Sequence, residues 1–470
     1  MASPYDPRRL LRRLPAVDVL TRDPRFDAAR VSLGVDGLTR HAREVIASAR
    51  RRVLETGEAP DHGALRAELA AAVSARMAQR TRRVINATGI VLHTNLGRAP
   101  LSSAAASALA TTAGGYASIE LDLPRGRRGA RGAFGEAALA QLSGAEDALV
   151  VNNCAAAVLL ALSAVARGRR VIVSRGEQVE IGGSFRVPEV LDRSGAVMVE
   201  VGTTNRTRTE DYARALDAHP GEVAALLRVH PSNFRQIGFT ERPPLAELAA
   251  LARARKVVLI QDLGGGALVD LSRLGLDEPM VQTGVQAGVH LVCFSCDKLL
   301  GGPQGGAIVG DRDLVARLRR DPLTRAVRLG RLPLVALEAT LSHYLSDELE
   351  QVPALRALHR PLADVRKRVE AWARRLTAEG VHVATTEAEG RAGGGTLPEA
   401  PVPSFALVFA GDVEAMAHEL RTGAPAVLPR IHEGRLYVDG RTVMPDEDEA
   451  LIKRLAEVVV ATAAGGASRP

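Results

Sequence analysis

The stretch Cys293-Phe294-Ser295-Cys296-Asp297-Lys298-Leu299-Leu300-Gly301-Gly302-Pro303-Gln304-Gly305-Gly306 decides how the rest of the chain reads. It follows an apolar run, Val289-His290-Leu291-Val292, that reads as a buried strand. Its glycine-rich end turns into a second apolar run, Ala307-Ile308-Val309. Lys298 therefore stands at a strand-to-loop junction, with Ser295 three residues before it. Among 61 basic residues only four are lysines: Lys256, Lys298, Lys367 and Lys453. Lys256 follows Arg253 and Arg255, Lys367 lies inside Arg366-Lys367-Arg368, and Lys453 falls in the last helical pattern. Arginine serves wherever the chain needs only positive charge, and Lys298 alone has apolar and glycine neighbours. A rigid, desolvated amine next to a phosphate anchor is what the Schiff-base lysine of a pyridoxal phosphate (PLP) enzyme requires. The competing reading is a surface lysine in a hairpin.

Working outward, apolar runs at 148–151, 171–173, 197–201, 224–229, 257–261, 291–294 and 307–309 alternate with helical patterns such as 134–142, 155–165, 245–254 and 312–319. That alternation predicts an α/β layer fold. Continuous Val/Ile/Leu runs predict strands covered on both faces, hence a mostly parallel sheet. Asp262 follows the run at 257–261, 36 residues before Lys298. A carboxylate there stands at the carboxyl edge of the sheet, where ligands bind in such folds, and suits the pyridine nitrogen of PLP. Its other reading is a capping Asp before a turn. Val151-Asn152-Asn153-Cys154-Ala155-Ala156 reads as strand, small polar turn and helix start. Backbone N–H groups at Asn153, Cys154 and Ala155 suit a phosphate cradle, with the Ser295 hydroxyl beside them. Small residues at a helix start also simply permit close packing.

Charge is unevenly placed. Residues 1–85 hold 17 arginines against 10 acidic residues, which is the whole net +7 of the chain; the other 385 residues balance at 44 against 44. A basic helical module, with apolar periodicity at 35–53 and 64–77, suggests an anionic partner. Arg50, Arg51, Arg52, Arg76, Arg80, Arg82 and Arg83 are the candidates to meet a phosphate backbone. Only Tyr5 and Phe26 are aromatic there, so phosphate and shape contacts fit better than base stacking. Residues 86–102, punctuated by Gly89, Gly97 and Pro100, read as a connecting loop that lines something, with Arg98 a better site candidate than His93. Residues 332–378 read as one or two long helices. Apolar runs at 405–409, 426–428 and 436–438 and a helix at 447–464 form a small α+β segment, Gly393-Gly394-Gly395 marks a loop, and a disordered tail is expected at 465–470. Three cysteines give no disulfide framework. Cys293 and Cys296 make a CxxC, but without a second CxxC or a paired His they read as small core residues, and no metal site is expected. No apolar run approaches the ~18 residues of a membrane span, and Met1-Ala2-Ser3-Pro4-Tyr5-Asp6 lacks a signal-peptide core, so a cytoplasmic location is expected.

Four stretches are less generic. They are residues 86–102; the run Ser174-Arg175-Gly176-Glu177-Gln178-Val179-Glu180-Ile181-Gly182-Gly183-Ser184-Phe185-Arg186; the run Glu200-Val201-Gly202-Thr203-Thr204-Asn205-Arg206-Thr207; and Leu337-Glu338-Ala339-Thr340-Leu341. Together they make the chain resemble the bacterial selenocysteine synthase (L-seryl-tRNA(Sec) selenium transferase) family, from about residue 13 to 443. The resemblance implies a PLP fold-type-I catalytic domain over 86–340, a tRNA-binding N-terminal domain over 1–85, and a linking helix and small α+β domain over 341–464. It implies conversion of seryl-tRNA(Sec) to selenocysteyl-tRNA(Sec) through an aminoacrylyl intermediate, with selenophosphate as selenium donor. Lys298 matches the family's Schiff-base lysine and Asp297 the acid beside it. Arg98, Arg325 and Arg328 match arginines that hold the donor's phosphate group. In Thr324-Arg325-Ala326-Val327-Arg328 the two guanidinium groups are three residues apart, which on a helical turn would let them grip one anion. Family members form homodecamers, rings of five dimers, with 202–211 in a region of contact between dimers. The rival readings are a related PLP lyase acting on a free small amino acid or amino sugar phosphate, and a non-catalytic RNA-binding protein on a decayed enzyme fold.

Overall fold

All seven apolar runs between 148 and 309 are strands of one sheet. They are β1 (Asp147–Val151), β2 (Arg170–Ser174), β3 (Val197–Val201), β4 (Val223–Val229), β5 (Val258–Gly264), β6 (Leu291–Ser295) and β7 (Gly306–Gly310), in the spatial order β1-β7-β6-β5-β4-β2-β3. Neighbours are parallel except β7, which runs antiparallel to both β6 and β1. The structure is a computed structural model that describes residues 7–181, 185–394 and 400–466.

The unbroken apolar runs have a simple cause. Leu259 and Leu263 of β5 enter one hydrophobic core and Ile260 the other; Val292 and Phe294 of β6 oppose Leu291 and Cys293; Ala307 and Val309 of β7 oppose Ile308. With helices on both faces, alternation of side chains has no wet side to mark. Cys293 and Cys296 fall in opposite cores, both fully buried and unbridged. They pack, and the CxxC spacing has no further structural expression. β5 is longer than its apolar run: Asp262 lies inside the strand rather than after it, in register with Val229 of β4 and Cys293 of β6. Backbone pairing on both sides carries the strand past the point where its side chains turn polar.

Residues 84–92 are not merely a connecting loop. Val84–Asn86 pairs in parallel with Ala426–Leu428, and Ile90–Leu92 forms the edge of a five-stranded sheet with Ala384–Gly393, Pro401–Phe409, Arg435–Asp439 and Arg430–His432. Asn86 folds the chain between the two strands: its side chain donates to the Ile90 carbonyl at 2.9 Å and accepts from Thr88 N at 3.1 Å and Thr88 Oγ at 2.7 Å. Strands of three residues leave too little pattern to be read from sequence. Helices Leu362–Ala378 and Asp448–Gly466 cover this sheet, burying Val365, Trp372, Leu376, Leu451 and Leu455 with Phe405, Leu407 and Phe409. The stretch 332–378 is three helices, Arg331–Leu345, Pro353–His359 and Leu362–Ala378, because Pro353 and Pro361 each mark a new start. Strand Ala384–Gly393 and helix Val413–Thr422 were not expected; the strand's Thr/Glu/Ala composition carries no apolar alternation. The final helix runs to Gly466, so residues 465 and 466 belong to it; 467–470 of the expected tail, and Gly395, lie outside the described residues.

The chain divides into two compact units, Met1–Arg83 and Val84–Pro470. The first is built on helices Asp27–Thr56, interrupted at Gly34, and His62–Ala78, the latter capped by Asp61 accepting from Ala64 N at 2.7 Å. Leu38, Ala42, Val45, Ile46 and Ala49 pack on Leu65, Leu69 and Val73. Two of its arginines hold this unit together: Arg52 pairs with Glu68 at 2.7 Å, and Arg80 donates to the Ser32 carbonyl at 2.7 Å. Arg40, Arg43, Arg50 and Arg51 are exposed.

Candidate active site

Lys298 follows β6 and is buried, with 5% of its surface exposed. Its loop is fixed by backbone bonds. Cys296 N donates to Gly305 O at 2.9 Å, Leu299 N to Gly265 O at 3.2 Å, and Gly301 N to Lys298 O at 2.9 Å. Gly264, at φ +71°, ends β5 beneath the amine. A Cβ at that position would lie 3.8 Å from Lys298 Nζ and 3.2 Å from Ser232 Oγ, so glycine keeps open the space these two groups face.

Four other groups bear on this lysine, three of them from distant parts of the sequence. Asp262 of β5 is buried, and the Cys154 thiol donates to its Oδ1 at 3.4 Å. Cys154 opens the helix Cys154–Ala166, whose N-cap Asn153 accepts from Ala156 N at 2.8 Å. Asp297 lies 3.6 Å from Arg98 Nε, and its carbonyl accepts from Ala99 N at 3.2 Å. Arg98 adopts φ +66°, a conformation costly for a residue with a Cβ; its backbone N donates to the His93 carbonyl at 3.1 Å, and its Nη1 to the Gly394 carbonyl at 3.0 Å.

The electrostatics follow from dryness. Burial lowers the Lys298 ammonium below the ordinary lysine range; Arg98 adds to this, while Cys154, Asp262 and Asp297 oppose it. Burial likewise raises the Asp262 carboxyl, against the Cys154 hydrogen bond and the charges of Lys298 and His230. It raises Asp297 too, against Arg98. The site therefore holds an amine that gives up its proton more readily than usual, beside a carboxylate that would gain from a buried cationic partner.

Lys298, Asp297, Arg98, Asp262 and Cys154 are thus brought together. Asn153 and Ala155 flank Cys154 at the helix start, and Ser295 is buried at the end of β6. Arg325 and Arg328 are placed differently. Arg325 lies in the short helix Pro322–Val327, but Arg328 follows its end with extended backbone, so the two are not stacked on one helical turn. Arg328 bridges to Val151, and Asn152 N donates to Val327 O at 2.8 Å, which explains the departure: the chain leaves the helix to pair with the end of β1. Both arginines line a cavity of about 450 Å³ with Glu120, Arg131 and Arg319; among the described residues its lining includes none of the Lys298 cluster. Arg328 pairs with Glu120 at 3.3 Å, rather than with Asp321, which caps the helix through Leu323 N. His230 and Ser232 were missed. They directly follow β4, and the carboxyl-edge rule that singled out Asp262 would have found them.

A comparison with protein families matches residues 84–444 to the L-seryl-tRNA selenium transferase family. The chain belongs to that family. It is 44% identical to the L-seryl-tRNA(Sec) selenium transferase of Moorella thermoacetica, over 98% of this chain and 99% of that protein. The enzymes so named from Hyphomonas neptunium and Rhizobium meliloti are 44% and 43% identical, over 96% and 97% of this chain. Among solved structures, D-glucosaminate-6-phosphate ammonia-lyase superposes with a TM-score of 0.57 at 20% identity, covering 82% of this chain and 97% of that one. That likeness concerns the fold alone, which is the fold-type-I α/β arrangement expected from the sequence. Membership over nearly the full length sets the transferase above the lyase and RNA-binding alternatives.

Proposed function

We propose that the chain converts seryl-tRNA(Sec) to selenocysteyl-tRNA(Sec), with pyridoxal phosphate on Lys298 and selenophosphate as the selenium donor. The observation that carries this reading is the buried Lys298, its ammonium lowered by burial, with the buried carboxylate of Asp262 close enough to bear on its charge. The residues fit the cofactor: Ser232 Oγ is a buried hydroxyl without a hydrogen-bond partner among the described residues, and a Cβ on Gly264 would lie 3.2 Å from it and 3.8 Å from the amine. Asn153, Cys154 and Ala155 at the start of a 13-residue helix, with Ser295, would hold its phosphate. Bound there, PLP supplies an electron sink for the electrons left on carbon when a proton departs. Asp262 would hold a proton on the ring nitrogen. The Lys298 amine, neutral more readily than an exposed lysine, takes the Cα proton of the seryl group. Arg98, with Asp297 beside it, places a cation at the pocket edge. The first unit would bind the tRNA through its net positive charge. The reading includes a homo-oligomer, a pentamer of dimers, and a cytoplasmic location; among the described residues no helix is long and apolar enough to cross a membrane.

Arg98, Arg325 and Arg328 are proposed to capture the donor's phosphate group. The support for Arg325 and Arg328 is a cavity rich in guanidinium groups with both on its wall; Arg98 stands apart from that cavity, beside Asp297, and its part rests on the family resemblance. Single-turnover selenium incorporation at several selenophosphate concentrations tests this. Arg325→Ala and Arg328→Ala should still bind cofactor and seryl-tRNA, while transfer falls roughly tenfold to about 150-fold. A charge-assisted contact is worth about 1.5–3 kcal/mol, and about 1.36 kcal/mol is a factor of ten in rate. Lysine at either position should restore only part, since a point charge lacks the fork. Wild-type rates in both alanine variants would remove the donor site, and wild-type protein that transfers no selenium would remove the function.

A further inference from the structure

A second set of buried polar groups leans on the same backbone. Glu278 has a side chain only 1% exposed, and among the described residues neither of its carboxylate oxygens has a hydrogen-bond partner. His230 Nε2 lies 3.5 Å from Glu278 Oε2 and is likewise without a hydrogen bond, as is Ser232 Oγ. All three stand around the Gly264–Gly265 turn. A Cβ at residue 265 would collide with Glu278 Oε1, so the carboxylate enters only because that residue is glycine. Gly265 O in turn accepts from Leu299 N, next to the lysine. His230 is anchored to the other side of the site, its backbone N donating to the Asp262 carbonyl at 2.8 Å, and Ser232 N donates to His230 O at 2.9 Å.

A buried carboxylate is costly unless it is paired, and among the described residues His230 is the one basic side chain within ion-pair reach of Glu278. Buried polar atoms without partners in a pocket are unspent capacity for a ligand. We propose that Glu278 is a positioning residue for the His230 imidazole, whose Nε2 stands 3.5 Å from its Oε2, so that His230 and Ser232 form a polar wall of the cofactor pocket near Lys298. This rests on the PLP reading above. An oxygen-bearing aromatic ring such as that of pyridoxal phosphate suits a wall made of one imidazole and one hydroxyl.

The test is cofactor binding, measured with pyridoxal phosphate by equilibrium dialysis of the full chain and by the visible spectrum of the bound form. Glu278→Gln keeps the shape and removes the charge. It should raise the apparent Kd by about tenfold or more, as loss of a charge-assisted contact does, and shift the absorbance maximum. His230→Gln should do the same. The double variant should be no worse than the worse single, because Glu278 acts through His230. Glu278→Asp should recover part of the affinity, and Ser232→Ala should cost a few-fold. Wild-type affinity and spectrum in Glu278→Gln, or losses that multiply in the double variant, would overturn the proposal, as would a lower unfolding temperature with an unshifted spectrum. Wild-type protein that binds no pyridoxal phosphate would overturn this and the proposed function together. Wild-type protein that binds it but transfers no selenium would overturn only the latter.

Discussion

Lys298→Ala is expected to lose both cofactor fixation and selenium transfer. Borohydride treatment of wild-type protein supplied with pyridoxal phosphate should attach the cofactor covalently, and peptide mapping should place it on residue 298. The variant should show no such attachment. Lys256, Lys367 and Lys453 are the only other lysines and none lies in this stretch. Turnover should fall by about 10²–10⁴-fold from loss of the proton-transferring amine alone, and further from loss of the covalent link. Removing the amine takes nothing from the cores, so the variant should fold: Lys298 hangs from a loop whose backbone bonds to Gly265 and Gly305 do not involve its side chain. Attachment to a different lysine in wild-type protein would refute the assignment.

Removing residues 1–83 is expected to abolish tRNA binding and leave cofactor binding intact. The boundary falls between the two compact units, so the cut severs no core cluster. The full chain should bind tRNA with an affinity that drops steeply with salt. The logarithm of the affinity falls linearly with that of salt concentration, by roughly 0.9 for each phosphate neutralised on a duplex. Arg50→Ala and Arg51→Ala, both at exposed positions, should flatten that slope. Arg52→Ala and Arg80→Ala should instead lower the unfolding temperature, because Glu68 and the Ser32 carbonyl already occupy those guanidinium groups. Unchanged tRNA affinity in the truncated protein would remove the explanation for the charge imbalance.

That contrast among arginines shows where reading a sequence stops. Composition located the excess charge in the first 85 residues, but Arg50, Arg51 and Arg52 are equivalent in sequence. Only the packing of Asp27–Thr56 on His62–Ala78 turns Arg52 toward Glu68. The spacing of Arg325 and Arg328 misled for a related reason. Three residues apart is one turn only while the helix continues, and the pairing of Arg328 with Val151 ends it first.

The sheet was legible because its signal is local. Seven apolar runs bounded by glycine and polar residues are strands whatever surrounds them, and their unbroken character already implied cover on both faces. Lys298 and Asp262 were legible for the same reason, each standing at the end of such a run. Meetings across the sequence were decided by tertiary structure alone. Arg98 reaches Asp297 across 199 residues, Cys154 reaches Asp262 across 108, and Glu278 enters over Gly265 to face His230. Residues 84–92 join strands more than 290 residues further on. No periodicity records such contacts. Cys154, His230, Asp262 and Lys298 meet because strands of one sheet bring their carboxyl ends to a common edge, and the order of those strands, which fixes which ends are neighbours, is set by packing of the whole chain.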